Sequence, residues 1–147
     1  MLGAVDHVGY LTADLDRAVA EFVELLAVSV VWRFERPEYS LYGAYLGHGS
    51  GNIEVFSFSD PQLVKRRLNG SRLSLDHVAY EVADIDASAA AMRAAGARFC
   101  GPDFREQLIE PVELSGVLHL WTVPETTHGQ SIQILQRTHP ARQGLAA

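Results

Sequence analysis

The chain shows two hydrophobic periodicities, one typical of strands and one typical of helices. Residues 5–10 alternate with a period of two, which predicts a β-strand. After Asp14, whose side chain suits the N-cap of a helix, apolar residues recur at positions 15, 19, 22 and 26. Three strand-like segments follow, at 29–36, 41–46 and 52–58. This half of the chain therefore predicts a β-α-β-β-β module.

The second half of the chain repeats this beginning. Residues 75–86 match residues 5–16 at a constant offset of 70, with identical residues at seven of the twelve positions. Asp84 takes the place of Asp14 before a second helix, which Gly96 closes as a left-handed cap. The repeat indicates two copies of one module.

The remaining segments complete the predicted domain. Three strand-like segments of the second module lie at 97–100, at 112–123 with a break at Gly116, and at 131–136. Asp60-Pro61 opens a short helical linker, with proline at the first helical position. We therefore predict one domain over 1–147, with modules at 4–59 and 74–137 and a helical linker at 60–70.

Composition excludes several classes of protein. The chain has 147 residues, 48% of them hydrophobic and 20% charged, which predicts a folded globular protein rather than a disordered one. Its net charge of −6 and the lack of a basic stripe argue against nucleic-acid binding. No apolar run approaches the ~18 residues that cross a bilayer. Its single cysteine fits a reducing compartment, so we expect a cytoplasmic protein with no membrane partner.

The first strand of each module carries a histidine next to a small residue on the same strand face. His7 shares a face with Gly9, and His77 shares one with Ala79, whereas Asp76 lies on the face expected to pack on the helix. A small residue beside an imidazole leaves room for another group. Because the modules are copies, the two histidines should meet near a pseudo-two-fold axis.

The last strand of each module adds one more polar residue. Glu54 lies between apolar neighbours on a strand that must be half buried, where a carboxylate is costly unless it is paired or metal-bound. Gln133 takes the matching place in the second module. We therefore predict that His7, Glu54, His77 and Gln133 bind one divalent ion of Zn, Ni, Co, Mn or Fe. Gln133 can also be a polar pocket residue instead of a ligand.

Further side chains are candidates for contact with a substrate, because they share strand faces with these residues or belong to an aromatic-rich segment. The predicted substrate-binding residues are Tyr45, Phe56, His119 and Trp121. The basic run Lys65-Arg66-Arg67 in the linker can receive an anionic substrate tail or form a solvated face.

Three segments carry a resemblance to a known family. They are Asp6-His7-Val8-Gly9-Tyr10, Leu75-Asp76-His77-Val78-Ala79-Tyr80-Glu81-Val82 and Gly129-Gln130-Ser131-Ile132-Gln133-Ile134-Leu135. They resemble the vicinal oxygen chelate superfamily, which includes glyoxalase I, methylmalonyl-CoA epimerase, extradiol dioxygenases and the bleomycin- and fosfomycin-resistance proteins. The resemblance covers residues 4–137. It implies an α+β fold, in which two paired β-α-β-β-β modules form a cupped mixed sheet around a metal-binding cavity, and a homodimer.

The resemblance also implies a chemistry. In glyoxalase- and epimerase-like members, two neighbouring substrate oxygens are chelated by the metal while a carboxylate moves a proton next to a carbonyl. The last ligand of the family is usually a glutamate that often serves as the base, whereas this chain has Gln133. Glu54 is therefore the leading catalytic base, with Glu81 and Glu113 in reserve. This departure weakens two-base racemisation and favours one-base isomerisation, lyase or ring-opening chemistry.

The predicted function is that of a metal-dependent lyase or isomerase of the glyoxalase/epimerase type, acting on a small oxygen-chelating substrate. One alternative is a non-haem Fe(II) dioxygenase, since two histidines and one carboxylate leave positions for O₂ and substrate. The other alternative is a non-catalytic protein that binds an antibiotic or another small molecule. Stoichiometric metal distinguishes the enzymes from the binding protein.

Overall fold

In the computed structural model, which describes residues 2–104 and 107–138, both repeats form the predicted order of elements. The chain divides into a first unit, Asp6–Val78, and a second unit, Met1–Val5 with Ala79–Ala147. Each unit combines helices with strands, and the predicted α+β class is confirmed. The single domain and the module bounds given above stay a prediction.

The strands of the first unit pair both parallel and antiparallel. Its elements are β1 (Val5–Thr12), α1 (Leu15–Leu26), β2 (Ser29–Arg36), β3 (Leu41–Gly47), β4 (Ile53–Phe58), α2 (Pro61–Leu68) and β5 (Leu73–Glu81). The first residue of β1 and the last residues of β5 belong to the second unit. The strand order is β2-β3-β4-β1-β5. β3 pairs antiparallel with β2 and β4, whereas β1 pairs parallel with β4. This order makes β1 the neighbour of both β4 and β5.

Helix α1 follows the sequence pattern except at its last residue. Asp14 caps it and accepts a hydrogen bond from the backbone N–H of Arg17. Val19 is buried against β3 and β4 together with other apolar residues of the first unit. Leu26, which the helical spacing assigned to the apolar face, is 44% exposed instead. The helix ends there, because Ala27 adopts a left-handed backbone conformation with φ 52°.

Helix α2 forms in the predicted linker segment. Asp60 caps it by accepting from the N–H groups of Gln62 and Leu63, and Pro61 occupies its first turn. Asn69 ends it with φ 47°. The helix packs on the Phe56/Phe58 face of β4, within a cluster of Leu11, Leu41, Phe56, Phe58, Leu63, Val64 and Leu68. Burial of this apolar cluster stabilises the first unit and holds α2 against β4.

The second unit repeats the order of the first, with one strand divided. After β5 come α3 (Ile85–Ala94), β6 (Phe99–Cys100), β7 (Val112–Leu114), β8 (Val117–Thr122) and β9 (Ser131–Arg137). β8 pairs antiparallel with β6, β7 and β9. The predicted break at Gly116 is confirmed, because Ser115 and Gly116 both have positive φ and form the two-residue turn between β7 and β8.

Helix α3 begins and ends where the sequence predicts. Asp84 accepts from the backbone N–H of Ala87, and Gly96 follows the helix with φ 100°. Ile85 and Ala89 are buried against Leu120 and Ile134 of β8 and β9. Neither this helix nor any other in the described part of the chain is long and apolar enough to cross a lipid bilayer.

Candidate metal centre

Three buried side chains of the first unit converge on one point. His7 comes from β1, Glu54 from β4 and His77 from β5, and they are 1%, 6% and 4% exposed. One oxygen of Glu54, Oε2, lies 2.9 Å from His7 Nε2 and 3.2 Å from His77 Nε2. The two Nε2 atoms are 3.3 Å apart. Three of the four predicted ligands thus meet in one small cluster.

This donor set can hold one divalent ion. Ligand nitrogen and oxygen atoms lie about 2.0–2.2 Å from a bound Zn²⁺ and therefore about 3 Å from one another. The separations of 2.9, 3.2 and 3.3 Å in the cluster match this spacing. Two imidazoles and a carboxylate suit the transition metals that the sequence predicted, and three protein ligands leave positions open.

An aspartate orients each imidazole from behind. His7 Nδ1 lies 2.7 Å from Asp6 Oδ2, and His77 Nδ1 lies 2.9 Å from Asp76 Oδ2. A carboxylate only accepts, so each Nδ1 carries the proton and each Nε2 presents its lone pair to the cluster when the ring is neutral. Such carboxylate–histidine pairs are typical of metal centres.

The sequence pattern did not predict this role of Asp6 and Asp76. The signal was available, because these two aspartates are identical in the repeat and directly precede the two histidines. Strand alternation placed Asp76 on the face expected to pack on the helix. A neighbouring side chain along a strand can nevertheless curl round to the ring nitrogen, which alternation alone does not predict.

Ionic interactions dominate the cluster. Burial alone would lower the pKa of His77, but its hydrogen bonds to Asp76 and Glu54 raise it to about 9. The pKa of His7 is also raised, because its bonds to Asp6 and Glu54 outweigh burial. Burial would raise the pKa of Glu54, yet both imidazoles hold it well below its usual range. The surrounding carboxylates therefore favour the protonated, positively charged forms of both imidazoles. A divalent cation can take the place of these protons and supply the positive charge instead.

The small residue beside His7 has a clear steric reason. A Cβ atom on Gly9 would lie 2.2–2.6 Å from ring atoms of His77. The space that the sequence predicted next to the first imidazole is thus filled by the second one. Glycine at this position allows the two histidines to approach each other.

Two of the predicted substrate-binding residues lie against this cluster. Tyr45 faces Glu54 in the β3–β4 register and hydrogen-bonds to its carboxylate, and its ring is edge-on to His7 with centroids 5.2 Å apart. Burial and the charge of Glu54 raise the pKa of Tyr45 well above 10. The ring of Phe56 lies 5.6 Å from that of His77. Phe56 is 3% exposed, so its contacts are mainly with the apolar core.

The other predicted residues belong to the second unit and contact one another there. Gln133 donates from Nε2 to His119 Nδ1 over 2.8 Å, and His119 stacks on Trp121 with centroids 5.4 Å apart. In the described residues, the buried Gln133 Oε1 and Ser131 Oγ atoms have no hydrogen-bond partner. A buried acceptor without a donor is costly, so Gln133 Oε1 is suited to a ligand group or an ion. Ser131 was not among the predicted site residues.

The two reserve bases lie in different surroundings. Glu81 is half exposed and forms an ion pair of 3.1 Å with Arg137 in the second unit. Glu113 is exposed on β7. Of the three candidate bases, Glu54 is the one within the cluster.

Comparison with known proteins identifies relatives of this chain. The family model described as Glyoxalase/Bleomycin resistance protein/Dioxygenase superfamily matches residues 6–109. The uncharacterized protein YwkD of Bacillus subtilis (strain 168) is 30% identical over 87 residues. That match covers 58% of this chain and 66% of YwkD, so the chain spans just under two thirds of the length of this relative.

Solved structures share the fold. Methylmalonyl-CoA epimerase from Mycobacterium tuberculosis has a TM-score of 0.78 at 21% identity, over 95% of this chain and 90% of that one. A variant of the Streptomyces coelicolor methylmalonyl-CoA epimerase, in complex with 2-nitronate-propionyl-CoA, has a TM-score of 0.74 at 22% identity, over 95% and 100%. At these identities the similarity is one of fold.

Proposed function

Because the chain belongs to the glyoxalase/bleomycin resistance protein/dioxygenase superfamily, we propose that it is a metal-dependent lyase or isomerase of the glyoxalase/epimerase type. It would move a proton at the carbon next to a carbonyl group of a small oxygen-chelating substrate. The observation that carries this proposal is the convergence of His7, Glu54 and His77, each with its donor atom within about 3 Å of the others.

The metal would be held by His7, Glu54 and His77, and Gln133 is proposed as a fourth, weaker ligand. A bound divalent ion supplies Lewis-acid stabilisation of negative charge on a carbonyl oxygen. Asp6 and Asp76 keep the Nε2 lone pairs of the histidines directed into the cluster. The orphaned Oε1 of Gln133 supports its assignment, since a cation would satisfy this acceptor.

Glu54 is proposed as the catalytic base. In the cluster its carboxylate is ionised, since hydrogen bonds to His7 and His77 hold its pKa well below the usual range. A carboxylate with so low a pKa is a poor base, so proton transfer requires that Glu54 first leave these partners. The Tyr45 hydroxyl bonds to the same carboxylate and would keep it oriented during that movement.

Aromatic side chains are proposed as the walls of the substrate pocket. Tyr45 and Phe56 contact the two imidazoles of the first unit, and Trp121 stacks on His119 in the second. Apolar walls exclude water and strengthen the electrostatic interactions of a bound substrate. The two fold-related structures named above are methylmalonyl-CoA epimerases, so acyl-CoA thioesters belong among the test substrates beside 2-oxoaldehyde hemithioacetals.

The first test of this proposal is metal content, measured by elemental analysis after dialysis. We expect about one divalent ion per chain in the wild type and a loss in His77→Ala. His48→Ala is the matched control, because His48 lies exposed in the loop after β3 and should leave the metal unchanged.

The second test is proton exchange. Wild-type protein in D₂O should incorporate deuterium next to the carbonyl of an active substrate, as followed by proton NMR, and Glu54→Gln should abolish the incorporation.

Absence of metal even after incubation with Zn²⁺, Ni²⁺, Co²⁺, Mn²⁺ and Fe²⁺ would contradict the enzyme proposal and favour a small-molecule binding protein. Uptake of O₂ with a catechol by the Fe²⁺ form would favour a dioxygenase, for which the same three ligands suffice.

A further inference from the structure

The basic run of the linker contains one arginine that is not solvated. Lys65, Arg66 and Arg67 form the last turn of α2, where Lys65 and Arg66 are exposed. The side chain of Arg67 is only 11% exposed. A guanidinium is rarely withdrawn from water unless a carboxylate and good hydrogen bonds compensate for its desolvation.

The partner of Arg67 is the aspartate behind the second histidine. Arg67 Nη2 donates to Asp76 Oδ1, while Asp76 Oδ2 accepts from His77 Nδ1 over 2.9 Å. The two oxygens of one carboxylate are thus divided between the linker helix and the imidazole. This division limits rotation of the carboxylate, because a turn that keeps one bond breaks the other.

Two aromatic rings also contact the guanidinium. Arg67 Cζ lies 5.1 Å from the ring centroid of Phe58 and 5.9 Å from that of Phe56, within the range of cation–π attraction. Phe56 also contacts the ring of His77, with centroids 5.6 Å apart. Arg67 therefore contacts two groups that themselves contact the imidazole of His77, namely the Asp76 carboxylate and the Phe56 ring.

We propose that Arg67 is a positioning residue of the metal centre, which orients His77 through Asp76. This inference rests on the metal site of the proposed function. With Arg67 in place, Asp76 is held where it accepts from His77 Nδ1, and Nε2 of the same ring is directed into the cluster with Glu54. Without Arg67, Asp76 can turn away and the imidazole loses both its preferred tautomer and its preferred ring orientation.

Metal affinity is the first readout. Arg67→Met keeps an unbranched apolar stem but removes the charge and the donors of the side chain. Zn²⁺ binding measured by competition with a chelator should weaken by about 10-fold, the lower end of the effect of losing a direct partner of a metal ligand, because Arg67 acts through Asp76. Arg66→Met makes the same change one position away on the exposed face of α2, and its affinity should stay within about twofold of wild type.

The second readout is measured on metal-free protein, so that the inference and the proposed function can fail separately. The Nδ1–H proton of His77, observed by NMR with ¹⁵N-labelled histidine, should be protected from exchange in the wild type and in Arg66→Met. It should exchange rapidly in Arg67→Met. Should Arg67→Met unfold, Arg67→Lys keeps the charge without the planar fork. Its His77 proton should exchange faster than in wild type, and its metal affinity should fall between those of wild type and His77→Ala.

The outcomes are distinct. Wild-type protein that binds no metal, but whose His77 proton is protected only when Arg67 is present, would overturn the metal function and keep the orienting role. Metal affinity and proton protection in the position-67 variants equal to wild type would overturn the role of Arg67 and leave the proposed function standing. A weakened affinity that persists unchanged in a His77→Ala background would also overturn it, because the effect would then bypass His77.

Discussion

The Nε2 atoms of His7 and His77 lie 3.3 Å apart although the two residues are 70 positions apart in the chain. Each is the second residue of a repeated Asp-His pair, and each ring is held from behind by its own aspartate. At this distance the lone pairs of the two nitrogen atoms repel each other, unless a proton or a cation lies between the nitrogens and the groups around them. The repeat thus produces a paired donor site, and Glu54 adds the carboxylate.

Replacing Gly9 with alanine should disturb the site through His77. The added Cβ atom would lie 2.2–2.6 Å from the imidazole, so the ring must move or the strand must shift. We expect a loss of stability of about 1–3 kcal/mol, typical of overpacking, together with weaker metal binding. Chemical denaturation measures the stability.

The matched control for this prediction is the same change in a protein that lacks the ring. In a His77→Ala background, Gly9→Ala should cost less than about 1 kcal/mol, because the atoms that the new methyl group would meet are gone. Equal costs in the two backgrounds would show that the clash with His77 is not the reason for glycine here.

Asp6→Asn should weaken metal binding while the fold is retained. An asparagine amide no longer attracts the Nδ1 proton of His7 as a carboxylate does, and the ring loses part of its orientation. We expect an affinity about 10- to 100-fold lower than in wild type, as measured by chelator competition. Asp16→Asn is the control, since the Asp16 side chain is 92% exposed and should leave the affinity unchanged.

The stability of the metal-free protein should fall as the pH rises above 6.5. The pKa of His77 is raised from 6.5 to about 9 by its bonds to Asp76 and Glu54. A raised pKa means that the stabilisation is complete below 6.5 and is lost as the pH passes through about 9. Glu54, whose pKa is lowered, contributes above 4.5 and loses its contribution in acid. Thermal unfolding against pH measures both effects.

Metal affinity should show the opposite trend over the same range. A metal must displace the extra proton of His77, so affinity should rise about tenfold per pH unit up to about 9. The His77→Ala variant is the control for the stability prediction of the preceding paragraph. Its metal-free stability should decline less between pH 6.5 and 9 than that of the wild type. A decline of unchanged size in that variant would assign the effect to another group.

Tyr45→Phe should alter catalysis more than metal content. The change removes the hydroxyl bond to Glu54 but keeps the ring against His7. We expect a stability loss of about 1 kcal/mol, a full complement of metal and slower deuterium incorporation into substrate. Tyr42→Phe, in the same strand, is the control and should leave the incorporation rate unchanged.

Gln133→Glu should raise the affinity for a divalent ion if Gln133 is the fourth ligand. A carboxylate oxygen is a stronger ligand than the amide oxygen, which is buried without a donor. Gln133→Leu should lower the affinity, by less than His77→Ala does. Affinities that are the same in all three proteins would assign Gln133 to the pocket wall and exclude it from the metal shell.

Sequence patterns predicted much of the local structure. Asp14 and Asp84 cap their helices because a short acidic side chain satisfies free N–H groups wherever it precedes a helix. The turn at Gly116 follows from residues that tolerate positive φ. The helical spacing failed at Leu26, because the helix ends at that residue and no turn follows to cover it.

Part of the candidate site could be predicted from the repeat and from the cost of burying a carboxylate. A repeat implies that equivalent side chains are related by symmetry, so His7 and His77 could be paired without coordinates, and a carboxylate between apolar residues pointed to Glu54. Asp76 was placed on the face that packs on the helix and Asp6 was given no role, because strand alternation describes faces and not how a side chain turns at its end.

By itself, the sequence of this protein determined the order of its elements, the caps of its helices and the identity of three converging side chains. These depend on local periodicity and on the repeat, which are properties of neighbouring or equivalent positions. Tertiary structure alone decided the 2.9–3.3 Å spacing of the donors, the contact of Gly9 with His77 and the inward turn of Arg67. Such relationships depend on strand register and side-chain rotamers between distant segments, where a shift of one residue reverses every face.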